Sequence, residues 1–266
     1  MEITTLDYLY IDAETGDCYF GIDHPEELIY EGSDLIQPFL YDNINFTNPI
    51  PLALSTEQRY RINIFLSNLS EQWFHEEYDN TLRAWVGSSQ EFTSQNADPM
   101  ELLRFAWLYA KINMQAAEWL EQNDGPYYGV SIDTIDAVCY RFFGRSIADD
   151  ISEAQERGDI LVLNGLVCEP AADGAAHNRM TLVEDVSDLS DGTLKASFKI
   201  YSVEIGDGSI VYAGGTIHDK SVYYLTQEEA DRDSRFMLEC TGEATLRTYI
   251  TDSGTESYQL VSYQVA

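Results

Sequence analysis

The sequence is poor in positive charge. It has 15 lysines and arginines against 46 aspartates and glutamates, and none of the positive residues precedes Arg59. A surface with this excess of negative charge repels phosphate backbones and anionic lipid headgroups. The composition therefore argues against nucleic acid and anionic membrane surfaces as partners, unless a metal ion or a local basic patch intervenes.

Long hydrophobic runs are also missing. The longest apolar stretch, around Phe105 to Ala110, falls far short of the roughly 20 residues that span a bilayer. The N-terminus has no basic region followed by an apolar run, so no signal peptide is recognisable. We expect no membrane insertion by this segment.

Familiar chemical motifs are absent as well. The cysteines, Cys18, Cys139, Cys168 and Cys240, have no C-x-x-C spacing, which excludes zinc ribbons and thioredoxin-type sites. Free buried thiols are the expectation, and a Cys168–Cys240 bridge stays open. The sequence contains no G-x-S-x-G, Walker or G-x-G-x-x-G motif. We therefore predict no catalytic residue and no cofactor.

Helical signals occupy the middle of the chain. Ser55 and Gln58 have the spacing of a capping box and predict a helix over 56–74. Asp98 and Pro99 begin a second helical pattern, which is apolar on nearly all faces and is predicted to run to Glu121. A third helix is predicted from Ser131 to Gly144, and a short helical turn from Ser152 to Arg157.

After Asp159 the hydrophobic period changes to two, which is typical of strands. Helices followed by long strands predict an α+β fold with a C-terminal antiparallel sheet. Strands that curl around the helices would leave a conical cavity, and cystatin-like or NTF2-like folds offer an analogy. The predicted strands are 160–168, 179–186, 193–205, 209–217, 221–225, 234–251 and 257–265.

Three parts are predicted along the chain. Residues 1–54 form a short hairpin and an irregular segment, residues 55–158 form the helical part, and residues 159–266 form the sheet part. No linker composition separates the last two parts. We therefore expect the helical and sheet parts to share one core.

Three sequence stretches carry a resemblance: Phe65–Glu71, Tyr140–Gly144 and the final hairpin Ala244–Tyr263. Together they resemble uncharacterised surface or lipoprotein ectodomains of Gram-positive anaerobic bacteria. These motifs are structural and bring no site residues. The resemblance implies an extracellular or cell-surface location, with a signal or anchor outside this segment.

Two tyrosines are candidate ligand-binding residues. Tyr127 and Tyr128 lie between Gly125-Pro126 and Gly129, and this composition predicts a loop between two helices. An exposed tyrosine ring suits a sugar ring or a partner surface. The alternative is that both rings are ordinary core or strand residues.

Asp185, Asp188 and Asp191 form an acidic segment between two predicted strands. Loops rich in carboxylate oxygens can hold calcium, although this spacing differs from that of an EF-hand. A solvated turn is the competing interpretation. A second group around His75, with Trp73, Glu76 and Glu77 close in sequence, is interpreted as a solvated helix end whose aromatic residues contact the core.

The leading hypothesis is a non-catalytic extracellular binding or scaffold domain of a bacterial surface protein, with a protein or a glycan as its partner. The first alternative is a carboxylate-based hydrolase that acts on a neutral or cationic substrate. Two carboxyls in one pocket, one of them desolvated, would favour it. The second alternative is an acidic mimic of nucleic acid, which would need carboxylates at phosphate-like intervals on one face.

Overall fold

The chain divides into two units, Met1–Asn48 and Pro49–Ala266. The structure, a computed structural model, describes residues 9–11, 18–20, 28–30, 50–81, 84–88, 90–123, 125–171, 179–203, 216–217, 220–251 and 254–266. In the first unit, strands β1 (Leu9–Ile11), β2 (Cys18–Phe20) and β3 (Leu28–Tyr30) form an antiparallel sheet in that order. The pairing of β1 with β2 matches the expected hairpin, whose turn falls outside the described residues.

The second unit combines helices with antiparallel sheets, which confirms the α+β class. Its described part contains the helices α1 (Thr56–Glu71), α2 (Pro99–Ile112), α3 (Ile132–Phe143), α4 (Ala148–Arg157) and α5 (Gln227–Arg232). Its strands are β4 (Ile50–Pro51), β5 (Glu76–Asp79), β6 (Ala84–Gly87), β7 (Phe92–Thr93), β8 (Glu118–Gln122), β9 (Gly125–Ser131), β10 (Leu161–Leu163), β11 (Leu166–Pro170), β12 (Arg179–Asp188), β13 (Thr193–Val203), β14 (Thr216–Ile217), β15 (Lys220–Ser221), β16 (Phe236–Ile250) and β17 (Glu256–Val265).

Local signals set the helix ends. Ser55 and Gln58 form the expected capping box of α1, with side-chain hydrogen bonds in both directions. The Asp98 side chain accepts from the amide of Met100 at the start of α2. Helix α3 ends at Gly144, whose φ of 66° is the left-handed conformation that glycine tolerates best.

Among the predictions that are wrong, three concern the ends or types of the predicted helices and strands. Helix α2 ends at Ile112 and not at Glu121, because the following residues leave the helix and pair as strand β8 with β9. The predicted strand 160–168 is a hairpin, β10 and β11, which turns at Asn164 and Gly165 with φ values of 53° and 79°. Residues 222–224, expected in a strand, form a 3-10 turn.

The largest sheet has the strand order β4-β12-β13-β16-β17-β7, and every neighbouring pair is antiparallel. A smaller sheet has the order β10-β11-β9-β8. One buried cluster contains residues from the helices and from the large sheet. Among its members are Leu66, Phe105, Phe142, Phe198 and Tyr263.

Polar side chains of α1 cover part of the edge of β12 that β4 does not pair. The amides of Thr181 and Val183 donate to Ser67 Oγ and Asn63 Oδ1, each at 2.8 Å. The hydroxyls of Ser70 and Thr181 are also 2.8 Å apart. We call Asn63, Ser67, Ser70 and Thr181 the polar seam. It satisfies buried backbone groups that a neighbouring strand would otherwise pair.

Glu71 continues this polar face at the last turn of α1. Its carboxylate is buried and accepts from the Tyr223 hydroxyl at 3.0 Å. Burial raises the pKa of Glu71 to about 7, although hydrogen bonds from Tyr223 and Asn113 act in the opposite direction. Glu71 therefore titrates near neutral pH.

Three cysteines lie in the described part of this unit, and all are free thiols. Cys139 belongs to α3, while Cys168 lies on β11 and Cys240 on β16. The last two strands belong to different sheets, so these residues are not neighbours across one sheet.

Candidate binding site

Several unusual backbone features meet near the start of β12. Immediately after α1, Trp73 and His75 have φ values of 49° and 56°, in the left-handed region that non-glycine residues rarely adopt. On β6, a Cβ atom added to Gly87 would lie 2.5 Å from Val265 Cγ2, so glycine permits this close approach to β17. Backbone strain of this kind concentrates at functional sites.

A β-bulge directs a carboxylate to the same place. Ile200 on β13 pairs with Cys240 on β16, whereas the next residue, Tyr201, pairs with Leu238. Glu239 is the extra residue between these two pairs. Such bulges change the direction of a side chain within a ladder.

Arg179, the first residue of β12, binds two glutamates. Its Nη1 donates to both oxygens of Glu76 at 3.0 and 2.9 Å, and its Nη2 pairs with Glu239 Oε2 at 2.5 Å. The guanidinium group also lies 4.5 Å from the centre of the Trp73 ring. The side chains of Arg179 and Glu76 are 10% and 3% exposed, while that of Glu239 is 26% exposed.

The electrostatics of this group leave one negative charge in excess, because one guanidinium faces two carboxylates. Burial raises the pKa of Glu76, and the charge and hydrogen bonds of Arg179 oppose that rise. Burial also raises the pKa of the Cys240 thiol to about 11, so this thiol is neutral at pH 7.

These residues line a cleft of about 570 Å³, which we call the Arg179 cleft. Met237 and Leu238 form part of its wall and are 67% and 47% exposed. The cleft therefore combines an apolar wall, an aromatic ring and a partly exposed carboxylate. It can hold a ligand that has both an apolar stem and a hydrogen-bond donor or positive group.

His75 lies beside this cleft but has a structural role. Its Nδ1 is 3.1 Å from Glu101 Oε1, and its Nε2 is 2.6 Å from the carbonyl oxygen of Gln90. Burial lowers the pKa of His75, but the hydrogen bonds to Glu101 and Gln90 and the charges of Glu101 and Glu77 outweigh burial and raise it. The His75 ring connects the end of α1 to the first turn of α2. The predicted contact of this segment with the core is found, but the helix end is largely buried and not solvated, since Phe74 and Glu76 are buried.

The predicted loop at Tyr127 and Tyr128 is strand β9, which is a correction to the sequence analysis. Both tyrosines are half-buried. Tyr128 pairs with Trp119 across the sheet, and their ring centres are 5.1 Å apart. The ammonium group of Lys111 lies 4.3 Å from the centre of the Tyr128 ring. Ligand binding by Tyr127 and Tyr128 stays a prediction, on a strand and not on a loop.

The three aspartates predicted to bind calcium are used in local hydrogen bonds or lie on the strand. Asp188 Oδ1 accepts from the Ser190 amide at 2.7 Å, and Asp191 Oδ1 accepts from the Thr193 amide at 2.9 Å. Asp185 lies in β12 next to a register shift. No three His, Cys, Asp or Glu side chains of the described residues are grouped to hold a metal ion. This geometry lends the calcium prediction no support.

Sequence reasoning considered Trp73 and Glu76 but missed Arg179 and Glu239. No local signal could have found them, because Arg179 lies 103 positions from Glu76 and pairs with Glu239 on a different strand. Comparison of the chain with protein-family models, characterised proteins and solved structures gives no match. Within the described residues, no helix is sufficiently long and apolar to cross a membrane.

Proposed function

We propose that this chain is a non-catalytic binding domain of a bacterial surface protein, and that its Arg179 cleft binds a basic segment of a partner protein. The observation that carries the binding role is the position of Glu239. Its carboxylate projects from a bulge into a cleft with a net negative charge and an exposed apolar wall. The cell-surface setting rests on the resemblance of the helical motifs and the final hairpin.

Charge supports a basic ligand at two ranges. At long range, the formal net charge of −31 attracts cationic partners and repels anionic ones. At short range, Glu239 remains partly exposed after binding Arg179, so it can accept a hydrogen bond from a ligand ammonium or guanidinium group. A lysine or arginine of the partner would be attracted by the net charge of the protein and would bind the Glu239 carboxylate.

The apolar wall supports a peptide more than a simple amine. Lysine and arginine side chains pack their methylene groups along apolar surface while the charged end group stays in contact with water. Met237 and Leu238 offer such a surface immediately before Glu239 on β16. Methionine adapts well to ligands of varied shape because its side chain is unbranched and polarisable.

The hydrolase alternative has one supporting observation, which is that two carboxylates share this cleft and burial raises the pKa of one of them, Glu76. Both oxygens of Glu76, however, accept from Arg179. A general acid or nucleophile needs an oxygen that can reach the substrate. Glu76 would have to abandon a buried ion pair to act, so binding is the better-supported function.

The test is a calorimetric titration with short peptides that alternate lysine and leucine, compared with the same peptides carrying glutamate in place of lysine. We expect binding of the basic series alone. Glu239→Gln should weaken it about tenfold, since a charge-assisted hydrogen bond contributes about 1.5 kcal/mol or more.

Glu243→Gln is the matched control, because Glu243 lies on the same strand, is well exposed and loses the same charge. If both variants weaken binding equally, the general negative field and not the cleft is responsible. Equal affinity of the wild-type protein for the lysine and glutamate peptides would refute the proposal.

A further inference from the structure

A second cleft of about 480 Å³ lies between α1, the end of α3 and the hairpin of β16 and β17. We call it the Arg141 cleft. Aromatic and arginine side chains from all three elements line it. They include Tyr60, Arg61, Phe65, Arg141, Tyr249 and Tyr258.

Like Arg59, whose Nη1 donates to the carbonyl oxygen of Val183, Arg141 contacts uncharged groups in the described part of this acidic protein. It forms no ion pair with the carboxylates that the structure describes, whereas Arg157, Arg179, Arg232 and Arg235 all do. Its Nη1 donates to the Tyr109 hydroxyl at 3.3 Å, and its guanidinium centre lies 5.5 Å from the centre of the Phe142 ring. Stacking of this kind orients the guanidinium plane and leaves other N–H groups for a ligand.

The neighbouring polar groups are mixed, since the carboxylates of Glu57 and Glu256 line the cleft together with Arg61 and a tyrosine hydroxyl. Arg61 pairs with Glu57 at 3.0 Å, so these two charges offset each other. Burial raises the pKa of Tyr258 to about 12, and its hydroxyl therefore remains a donor at neutral pH. This hydroxyl forms no hydrogen bond within the described part of the chain.

The wall of the Arg141 cleft is aromatic. Phe65 stacks on Phe142 with ring centres 5.3 Å apart and meets the edge of Tyr258 at 6.1 Å. At the rim, Tyr60 is stacked on Tyr224 with ring centres 4.0 Å apart. Such walls favour a flat ring, which packs against aromatic faces and edges.

We propose that the Arg141 cleft binds a small carboxylate that carries a planar ring. The carboxylate pairs with the Arg141 guanidinium and accepts from the Tyr258 hydroxyl, while the ring packs against the half-buried Tyr60 and Tyr249, since Phe65 and Phe142 behind them are buried. This site is distinct from the Arg179 cleft and selects the opposite charge. The global field of the protein opposes such a ligand, so specificity must come from these short-range contacts.

The test uses benzoate as the probe, with benzamide as its neutral isostere and acetate as the anion without a ring. Titrations are followed by calorimetry and by ¹⁵N NMR. We expect benzoate to bind at least tenfold more tightly than either comparison compound, with shifts confined to α1, α3 and the β16–β17 hairpin. Arg141→Gln should weaken benzoate binding about tenfold by removing a charge-assisted hydrogen bond.

Arg232→Gln is the matched control, since Arg232 is a highly exposed arginine on α5 and loses the same charge. It should bind benzoate as the wild-type protein does. Thermal unfolding of each variant checks that the fold is retained. Equal binding of benzoate and benzamide, undiminished binding by Arg141→Gln, or shifts elsewhere would overturn the proposal. Glu239→Gln should leave benzoate binding unchanged, so the proposals for the two clefts are tested separately.

Discussion

The Arg179 cleft and the Arg141 cleft both place a guanidinium group over an aromatic ring, but the surroundings of the two arginines differ. Arg179 is nearly buried and binds two carboxylates, one of which is itself buried. Arg141 is exposed and binds only a tyrosine hydroxyl and aromatic rings within the described residues. The comparison teaches that the partners removed from water together with an arginine decide whether it supports the fold or remains able to bind a ligand.

The largest expected difference is in the unfolding free energy lost when each arginine is replaced by methionine. Arg179→Met leaves Glu76 buried without its partner, and breaking a buried pair in this way costs about 3–5 kcal/mol of unfolding free energy. Arg141→Met removes no ion pair and should cost at most about 0.5 kcal/mol. Urea denaturation at pH 7 measures both values. Similar losses in the two variants would contradict the distinction between the two arginines.

The next largest effect on unfolding free energy is expected from replacing Glu71, which lies on the helix between the two clefts. Its folded pKa of about 7 lies above the ordinary value of 4.5, so the folded state holds the proton more tightly. Its contribution to stability is therefore full below about pH 4.5 and is lost as the pH rises through about 7. Glu71→Gln should stabilise the protein by up to about 3 kcal/mol at pH 8.

The measurement is the unfolding free energy at several pH values, with Glu243→Gln as the control for loss of one exposed carboxylate. Glu71→Gln should flatten the profile between pH 4.5 and 7, whereas the control should keep the wild-type slope. An unchanged slope in Glu71→Gln would mean that this carboxyl is not responsible.

A smaller difference is expected in how salt changes the ligand affinities of the two clefts. At about 0.1 M salt the screening length is about 10 Å, so the long-range field of the protein weakens more than contacts within a cleft do. Affinity for the basic peptide should fall as sodium chloride increases, and affinity for benzoate should hold or rise. Parallel titrations at low and moderate salt measure both trends, and a common trend in both ligands would undo the assignment of opposite charge preference.

The parts of the fold that could be predicted depend on local chemistry. The caps at Ser55 and Asp98 and the stop at Gly144 act within one turn of helix, so sequence spacing is sufficient to find them. The end of α2 depended on distant partners. The apolar residues after Ile112 suit a buried helix or a strand, and the pairing of Trp119 with Tyr128 decides for the strand.

The candidate site could not be predicted for a related reason. With 46 acidic residues in the chain, no spacing distinguishes Glu76 and Glu239 from the others. Their roles depend on a bulge at Glu239 and on a strand that begins at Arg179. Both features arise from pairing across the sheet, which composition and periodicity do not encode. The analogy with cystatin-like or NTF2-like folds remains a prediction.

The polar seam has a consequence for multivalent recognition. Its hydrogen bonds prevent α1 from sliding along β12, because a shift by one turn would break all of them at once. Arg61 lines the Arg141 cleft, and α1 ends at Glu71, two residues before Trp73 of the Arg179 cleft. The helix between Arg61 and Glu71 is about 15 Å long at 1.5 Å per residue, and it holds the two clefts at a fixed separation. A partner carrying a basic group and a ring-bearing carboxylate that match the separation of Glu239 and Arg141 would gain avidity, since engaging one cleft raises the effective concentration at the other.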